Sequence, residues 1–155
     1  MSDYPSKRLI MALERNVEVC LPLDVQSRVD VIPFEWGTDN TALSCESPNG
    51  YDLILAGDML WMSEQHRNLA LSMSQLLRKD KHARILVVAG FHTGRVKMRT
   101  FFPIAASFAL VPAVPILEIN ADGSSRPWEY ERGAEDFSER NRWMVLCWLK
   151  WGHLS

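Results

Sequence analysis

Two apolar runs, YDLILA at 51–56 and RILVVAGF at 84–91, place the tightest limit on how this chain can fold. Neither alternates apolar with polar residues, so each reads as a strand covered on both faces, as in parallel sheets. The first stops at Gly57-Asp58. Ser63 then offers an N-cap, and Leu69, Ala70, Met73, Leu76 and Leu77 form a helical stripe that ends at Arg78-Lys79-Asp80-Lys81, a basic end that complements the helix dipole. After the second run, Phe101, Ile104, Ala105, Phe108 and Ala109 form another stripe, with Pro103 in its first turn or kinking it. Strand and helix alternate, which predicts a three-layer α/β domain with a mostly parallel sheet.

The flanks extend the pattern. Pro5 suits a first helical turn, and Leu9, Ile10, Leu13 and Val17 make 5–17 an amphipathic helix. Residues 29–34 (VDVIPF) read as a strand with Pro33 at an end or edge, and Thr38 to Gly50, with Asp39-Asn40 and Pro48-Asn49-Gly50, as a loop. Late in the chain, 114–119 and 142–150 (RWMVLCWLK) read as strands, with a turn at 121–125. The segment joining them is polar without helical period, so an antiparallel pair at a sheet edge is expected. At 155 residues and 47% hydrophobic, the whole of 1–155 fits one domain with a real core.

Charge and cysteine content remove several function classes. Seventeen basic against nineteen acidic residues give a net charge of −2 without a basic stripe, which argues against nucleic acid as a partner. Cys20, Cys45 and Cys147 are odd in number, far apart and outside any CxxC, so neither a disulfide framework nor a zinc site is indicated. No apolar run approaches the roughly 20 residues of a membrane span, and no signal-like segment opens the chain. A cytoplasmic protein with no membrane partner is expected.

In open α/β sheets ligands sit beyond the carboxyl ends of strands, which directs attention to Asp3, Trp36-Gly37, Gly57-Asp58 and His92-Thr93-Gly94. Asp3 can accept hydrogen bonds from the two hydroxyls of a ribose, or N-cap the helix starting near Pro5. Trp36 offers a flat face to an adenine ring, or packs at the core rim. Asp58 can orient a nucleophile or take its proton, or cap the turn into the next helix. The late acids Glu118, Glu129, Glu131, Glu135, Asp136 and Glu139 read as a solvated loop, or as a surface for a basic substrate. His66, His82, His92 and His153 form no HExxH or HxH, and GxSxG, GxGxxG and GxxxxGK[ST] are absent, so no metal site is expected.

DYP at 3–5, the helix ending at Asn16, EWG at 35–37, YDLILAGDMLW at 51–61 with His66, and RWMVL at 142–146 together resemble the seven-β-strand, S-adenosylmethionine-dependent methyltransferases of the protein-lysine methyltransferase family. FHTGRVKMRTFF, RPWEYERGAED and ERNRWMVLCWLKW are most similar to its fungal nicotinamide N-methyltransferase-like members, which include methyltransferases of the N-terminus and adjacent lysine of elongation factor 1-alpha. The resemblance implies S-adenosylmethionine as cofactor, with Asp3 at the ribose, Trp36 against the adenine and Gly57 beside the cofactor. It places Asp58 and Trp61 at the acceptor amine, Trp61 standing where the family has Tyr or Phe. It also implies a protein substrate, such as a translation elongation factor, and a monomer if the chain is complete. The methyl would pass in line from a sulfonium to a neutral amine, with positioning as the protein's main contribution.

The family's strand order is 3-2-1-4-5-7-6, with a Gly-rich loop after strand 1. A chain starting at Asp3 lacks strand 1, that loop and most of strand 2, which implies an N-terminally truncated Rossmann-like fold with a gap of roughly 14 Å beside strand 51–56. Cofactor binding is then expected to be weak or lost, and strand 51–56 to become an edge. Three functions follow: a protein lysine or N-terminal amine methyltransferase, weak or inactive as this piece; a catalytically empty relative acting through protein contacts; or a small-molecule, nicotinamide-type N-methyltransferase.

Overall fold

In the computed structural model, residues 1–38, 41–133 and 135–153 are described. The elements in order are β1 (Ser2–Asp3), α1 (Lys7–Cys20), α2 (Leu23–Gln26), β2 (Ile32–Pro33), α3 (Thr41–Glu46), β3 (Leu53–Gly57), a 3₁₀ turn (Ser63–Gln65), α4 (His66–Leu76), β4 (Arg84–Gly90), α5 (Arg95–Met98), α6 (Phe101–Ser107), β5 (Leu110–Pro112), β6 (Leu117–Asn120), β7 (Ser125–Pro127), α7 (Phe137–Arg140) and β8 (Trp143–Trp151). β1 and β2 form a two-stranded parallel sheet. The other six strands form a mixed sheet in the order β3-β4-β8-β6-β7, with β5 also on β8.

The mixed sheet departs from the expected mostly parallel one. β3 and β4 pair in parallel, whereas β8 runs antiparallel to β4, β5 and β6, and β7 antiparallel to β6. β8 is therefore interior rather than part of an edge pair. Its nine residues bury Val145, Cys147, Leu149 and Trp151 on one face, too much apolar surface for an edge. The strand register puts these four on the same face as Ile54, Ala56, Ile85, Val87 and Ala89, and together with α4 and α6 they make the core. On the opposite face Leu53, Leu55 and Met144 are exposed. Only one face of this sheet is sealed, so the three-layer expectation fails: continuous apolar runs did not guarantee a second covering layer.

β3 is the outer strand on its side, as expected for 51–56, and no backbone hydrogen bond among the described residues links β1 or β2 to it. Several local expectations shift. The first helix starts at Lys7 with Ser6 at its N-cap, leaving Pro5 outside. Ser63 lies in the 3₁₀ turn instead of capping α4, and α4 stops at Leu76, so Arg78 is free to pair with Asp52 at 2.5 Å rather than serve the helix end. Pro103 sits in the first turn of α6, where no intrahelical N–H is required. A short helix, α3, forms in the stretch read as a loop, while Asp39-Asn40 lies outside the described residues.

Candidate functional site

The carboxyl ends of β3 and β4 meet at Asp58. Its backbone turns sharply, with φ of 53°, in the left-handed region that Asp tolerates better than most residues. The turn is held by a backbone hydrogen bond from Asp58 N–H to the Val88 carbonyl, 2.6 Å, and by Oδ1, which accepts the Gly90 N–H at 3.0 Å. Oδ2 faces Nε2 of His92 at 3.4 Å. Asp58 thus ties the end of β3 to the end of β4, a different task from capping the turn into the following helix. Gly57 stands next to open space, since a Cβ built there meets nothing within 4 Å.

The loop after Asp58 is anchored from below. Leu60 is fully buried, and its carbonyl accepts from His66 Nε2 at 3.0 Å. A carbonyl only accepts, so Nε2 carries the proton, and Nδ1 meets the Thr100 hydroxyl at 2.9 Å. Burial lowers the His66 pKa, against smaller opposing effects of the Leu60 carbonyl and Glu64, so the ring is held neutral. Trp61, next in the chain, is half exposed at 52% and stands at the surface beside the Asp58 turn. His66 carried no structural role in the sequence pattern, because its partners lie six and 34 residues away.

Asp3 ends β1, exposed, and Oδ1 accepts the Tyr4 N–H at 2.7 Å while Oδ2 has no partner among the described residues. It does not cap α1, which removes that alternative. Trp36 follows β2, half-buried against the core, and its turn is tied to α4 by the Gly37 N–H donating to Ser72 Oγ at 2.9 Å. The β1–β2 ladder pairs Asp3 with Pro33, three residues before Trp36, and Phe34 N–H donates to the Asp3 carbonyl at 2.8 Å. Gly57, Asp58 and Trp61 form a second group on the larger sheet.

Beyond β4 lies a charged assembly that the sequence pattern did not reveal. Arg95 lies against both rings of the stacked Phe91–Trp128 pair, each ring centroid 4.8 Å from its guanidinium carbon. It pairs with Glu118 and Glu135, each at 2.5 Å. Glu118, fully buried, also receives Arg126 at 2.7 Å. Burial works to raise the Glu118 pKa, but the hydrogen bonds and charges of Arg95 and Arg126 outweigh it and hold the carboxyl below its ordinary range. The solvated-loop reading of the late acids is therefore wrong for Glu118 and Glu135, though Glu129, Glu131, Asp136 and Glu139 are exposed. The signal that would have found the pair is register: Glu118 lies opposite Val145 on the core face of β8.

The family model described as lysine methyltransferase matches residues 1–107. Among curated proteins, the chain is 28% identical over 115 residues to the protein N-terminal and lysine N-methyltransferase efm7 of Emericella nidulans, covering 68% of this chain and 44% of that one. The protein of the same name from Candida glabrata is 26% identical over 116 residues, covering 72% of this chain and 44% of that one. The chain spans less than half the length of these relatives. No helix among the described residues is long and apolar enough to cross a membrane. With more than half its length inside the family model and a mixed α/β sheet consistent with part of a methyltransferase fold, the chain belongs to the lysine methyltransferase family.

Proposed function

We propose that this chain is part of a Rossmann-like, S-adenosylmethionine-dependent N-methyltransferase that acts on a lysine or N-terminal amine of a protein. One observation carries the reading: the Gly57-Asp58 turn combines open space at Gly57 with a carboxylate locked in place by the Gly90 N–H. The residues present fit the cofactor. Asp3 has a carboxylate oxygen to spare, Trp36 presents a half-buried ring, and Gly57 has no Cβ to obstruct a ligand. They would hold ribose, adenine and the methyl-bearing end respectively. The cofactor, when bound, supplies a methyl group on a sulfonium. Asp58 orients the acceptor nitrogen, with Trp61 as an apolar wall and His92 steadying the carboxylate.

The relatives are named for N-terminal and lysine methylation, which favours a protein substrate over a pyridine. These 155 residues contain no GxGxxG segment, so affinity for the cofactor is weak in this chain alone. Calorimetry of residues 1–155 with S-adenosylmethionine tests that point, and micromolar binding overturns it. Transfer of labelled methyl into protein of a cell extract tests the function, with Asp58→Asn as the control. A second reading, a non-catalytic relative acting through protein contacts, is favoured by the open β3 edge with Leu53 and Leu55 exposed, and a protein contact that is lost in Leu55→Lys without any dependence on S-adenosylmethionine would support it.

A further inference from the structure

A cavity of about 450 Å³ opens between the segments 93–99 and 130–133, with Glu135 and Arg140 on its wall, next to the Asp58–His92 pair along the chain. Most of its charges are already paired. Arg95 is committed to Glu118 and Glu135, Arg99 to Glu131 and Arg132 to Glu129. Arg140 is different. Among the described residues its guanidinium has no carboxylate within 4 Å, it lies over the Phe137 ring at 4.9 Å, and its Nε is buried without a hydrogen-bond partner. Thr93 Oγ1, on the same cavity, is likewise buried without a partner. Arg140 reaches the backbone next to Thr93, since a Cβ built on Gly94 would stand 3.1 Å from Arg140 Nη1.

Buried donors are normally satisfied, and three on this cavity make no hydrogen bond: Thr93 Oγ1, Arg140 Nε and Arg132 Nε, of which Arg132 Nε still has Glu118 at 3.6 Å, leaving the Arg140 and Thr93 donors to call for an acceptor. A carboxylate meets the requirement: it can take a forked pair from a guanidinium and a third bond from a hydroxyl. We propose that this cavity recognises an aspartate or glutamate side chain of the polypeptide substrate through Arg140 and Thr93. The inference rests on the amine-methylating reading above and adds a sequence requirement to it. His92, which faces Asp58, is two residues from Gly94, a span of at most about 7 Å. An extended substrate advances roughly 3.3 Å per residue, so the acid falls some two to four residues from the acceptor amine.

The test is fluorescence anisotropy of this chain with a labelled peptide holding a glutamate three residues from a lysine, against the same peptide with glutamine, and against one with leucine replacing the lysine. The glutamate peptide is expected to bind about tenfold tighter than the glutamine peptide. That advantage should vanish in Arg140→Ala and shrink in Thr93→Val, with circular dichroism confirming that both variants fold. The peptide comparison needs no altered protein, so a misfolded variant does not remove the test. Equal binding of the glutamate and glutamine peptides, or an advantage that survives Arg140→Ala, overturns the proposal. So does inorganic phosphate that shifts the Arg140 Nε resonance while the peptides show no glutamate preference, which would mark a site for free anions. A glutamate preference that is indifferent to the lysine supports the carboxylate site while the amine reading fails. Dependence on the lysine without dependence on the glutamate does the reverse.

Discussion

Glu118 Oε1 lies 2.5 Å from Arg95 Nη1 with both side chains sealed from solvent, 0% and 4% exposed. Such a pair is not a source of stability in itself, but removing one partner strands the other charge in the core. Glu118→Gln is expected to cost about 3–5 kcal/mol in urea unfolding, because Arg95 and Arg126 both lose their buried carboxylate. The pair also carries a pH signature. A carboxyl held below its ordinary value contributes stability that is present above the unfolded pKa and is lost as pH falls through the folded one. Unfolding midpoints followed from neutral pH into the acid range should therefore fall less steeply in Glu118→Gln than in the natural chain.

His66 should produce a second acid sensitivity at higher pH. Its folded pKa is lowered, so the unfolded chain takes up the proton first, and stability declines as pH drops below the ordinary histidine value toward the lowered one. His66→Gln, which keeps polar atoms in the pocket but does not titrate, should flatten the stability profile between about pH 7 and 5. Denaturant midpoints at half-unit pH steps would show it.

Asp58 separates fold from chemistry. Asparagine tolerates the left-handed backbone, and its side-chain oxygen can still accept the Gly90 N–H, so Asp58→Asn should change stability by less than about 0.5 kcal/mol. Methyl transfer, in a form of the protein that shows it, should fall at least about 100-fold. A variant equally stable and equally active would remove Asp58 from the acceptor site.

The open β3 edge is an association hazard, with Leu55 exposed at 67%. Leu55→Lys should slow light-scattering growth on storage at high protein concentration while leaving the unfolding midpoint nearly unchanged. An unchanged scattering rate would point to other surfaces as the seed.

Cys147 is buried in the core, which pushes its thiol up to about 12, whereas Cys20 and Cys45 are exposed. A thiol reagent at neutral pH should label two cysteines in the native chain within minutes and the third only in denaturant. Rapid labelling of all three would mean that β8 opens readily.

What could be read in advance followed from physics that is local. β3 and β4 were legible because long apolar runs of β-formers need no partner to be recognised, and Asp58 because it follows one of them. β5 and β7, three residues each and both ending in proline, were not legible; they exist because β8 and β6 offer them ladder partners. The interior place of β8 depended on the same long-range pairing. Asp58 and His92 are 34 residues apart and Arg95 and Glu118 are 23 apart, and nothing in the spacing of either pair announces the contact. Asp3 was readable as a strand-end acid, but the freedom of its second oxygen was not.

Among the described residues no backbone ladder joins the β1–β2 sheet to the larger one, and this gives the molecule two different clocks. Amides of α1, whose buried residue is Val17 alone, can exchange with solvent through a local opening that leaves β4 and β8 intact. The central strands then exchange only when the whole core comes apart. A ligand seated on Asp3 would register first as slowed exchange in the N-terminal segment, well before it raised the melting temperature of the rest.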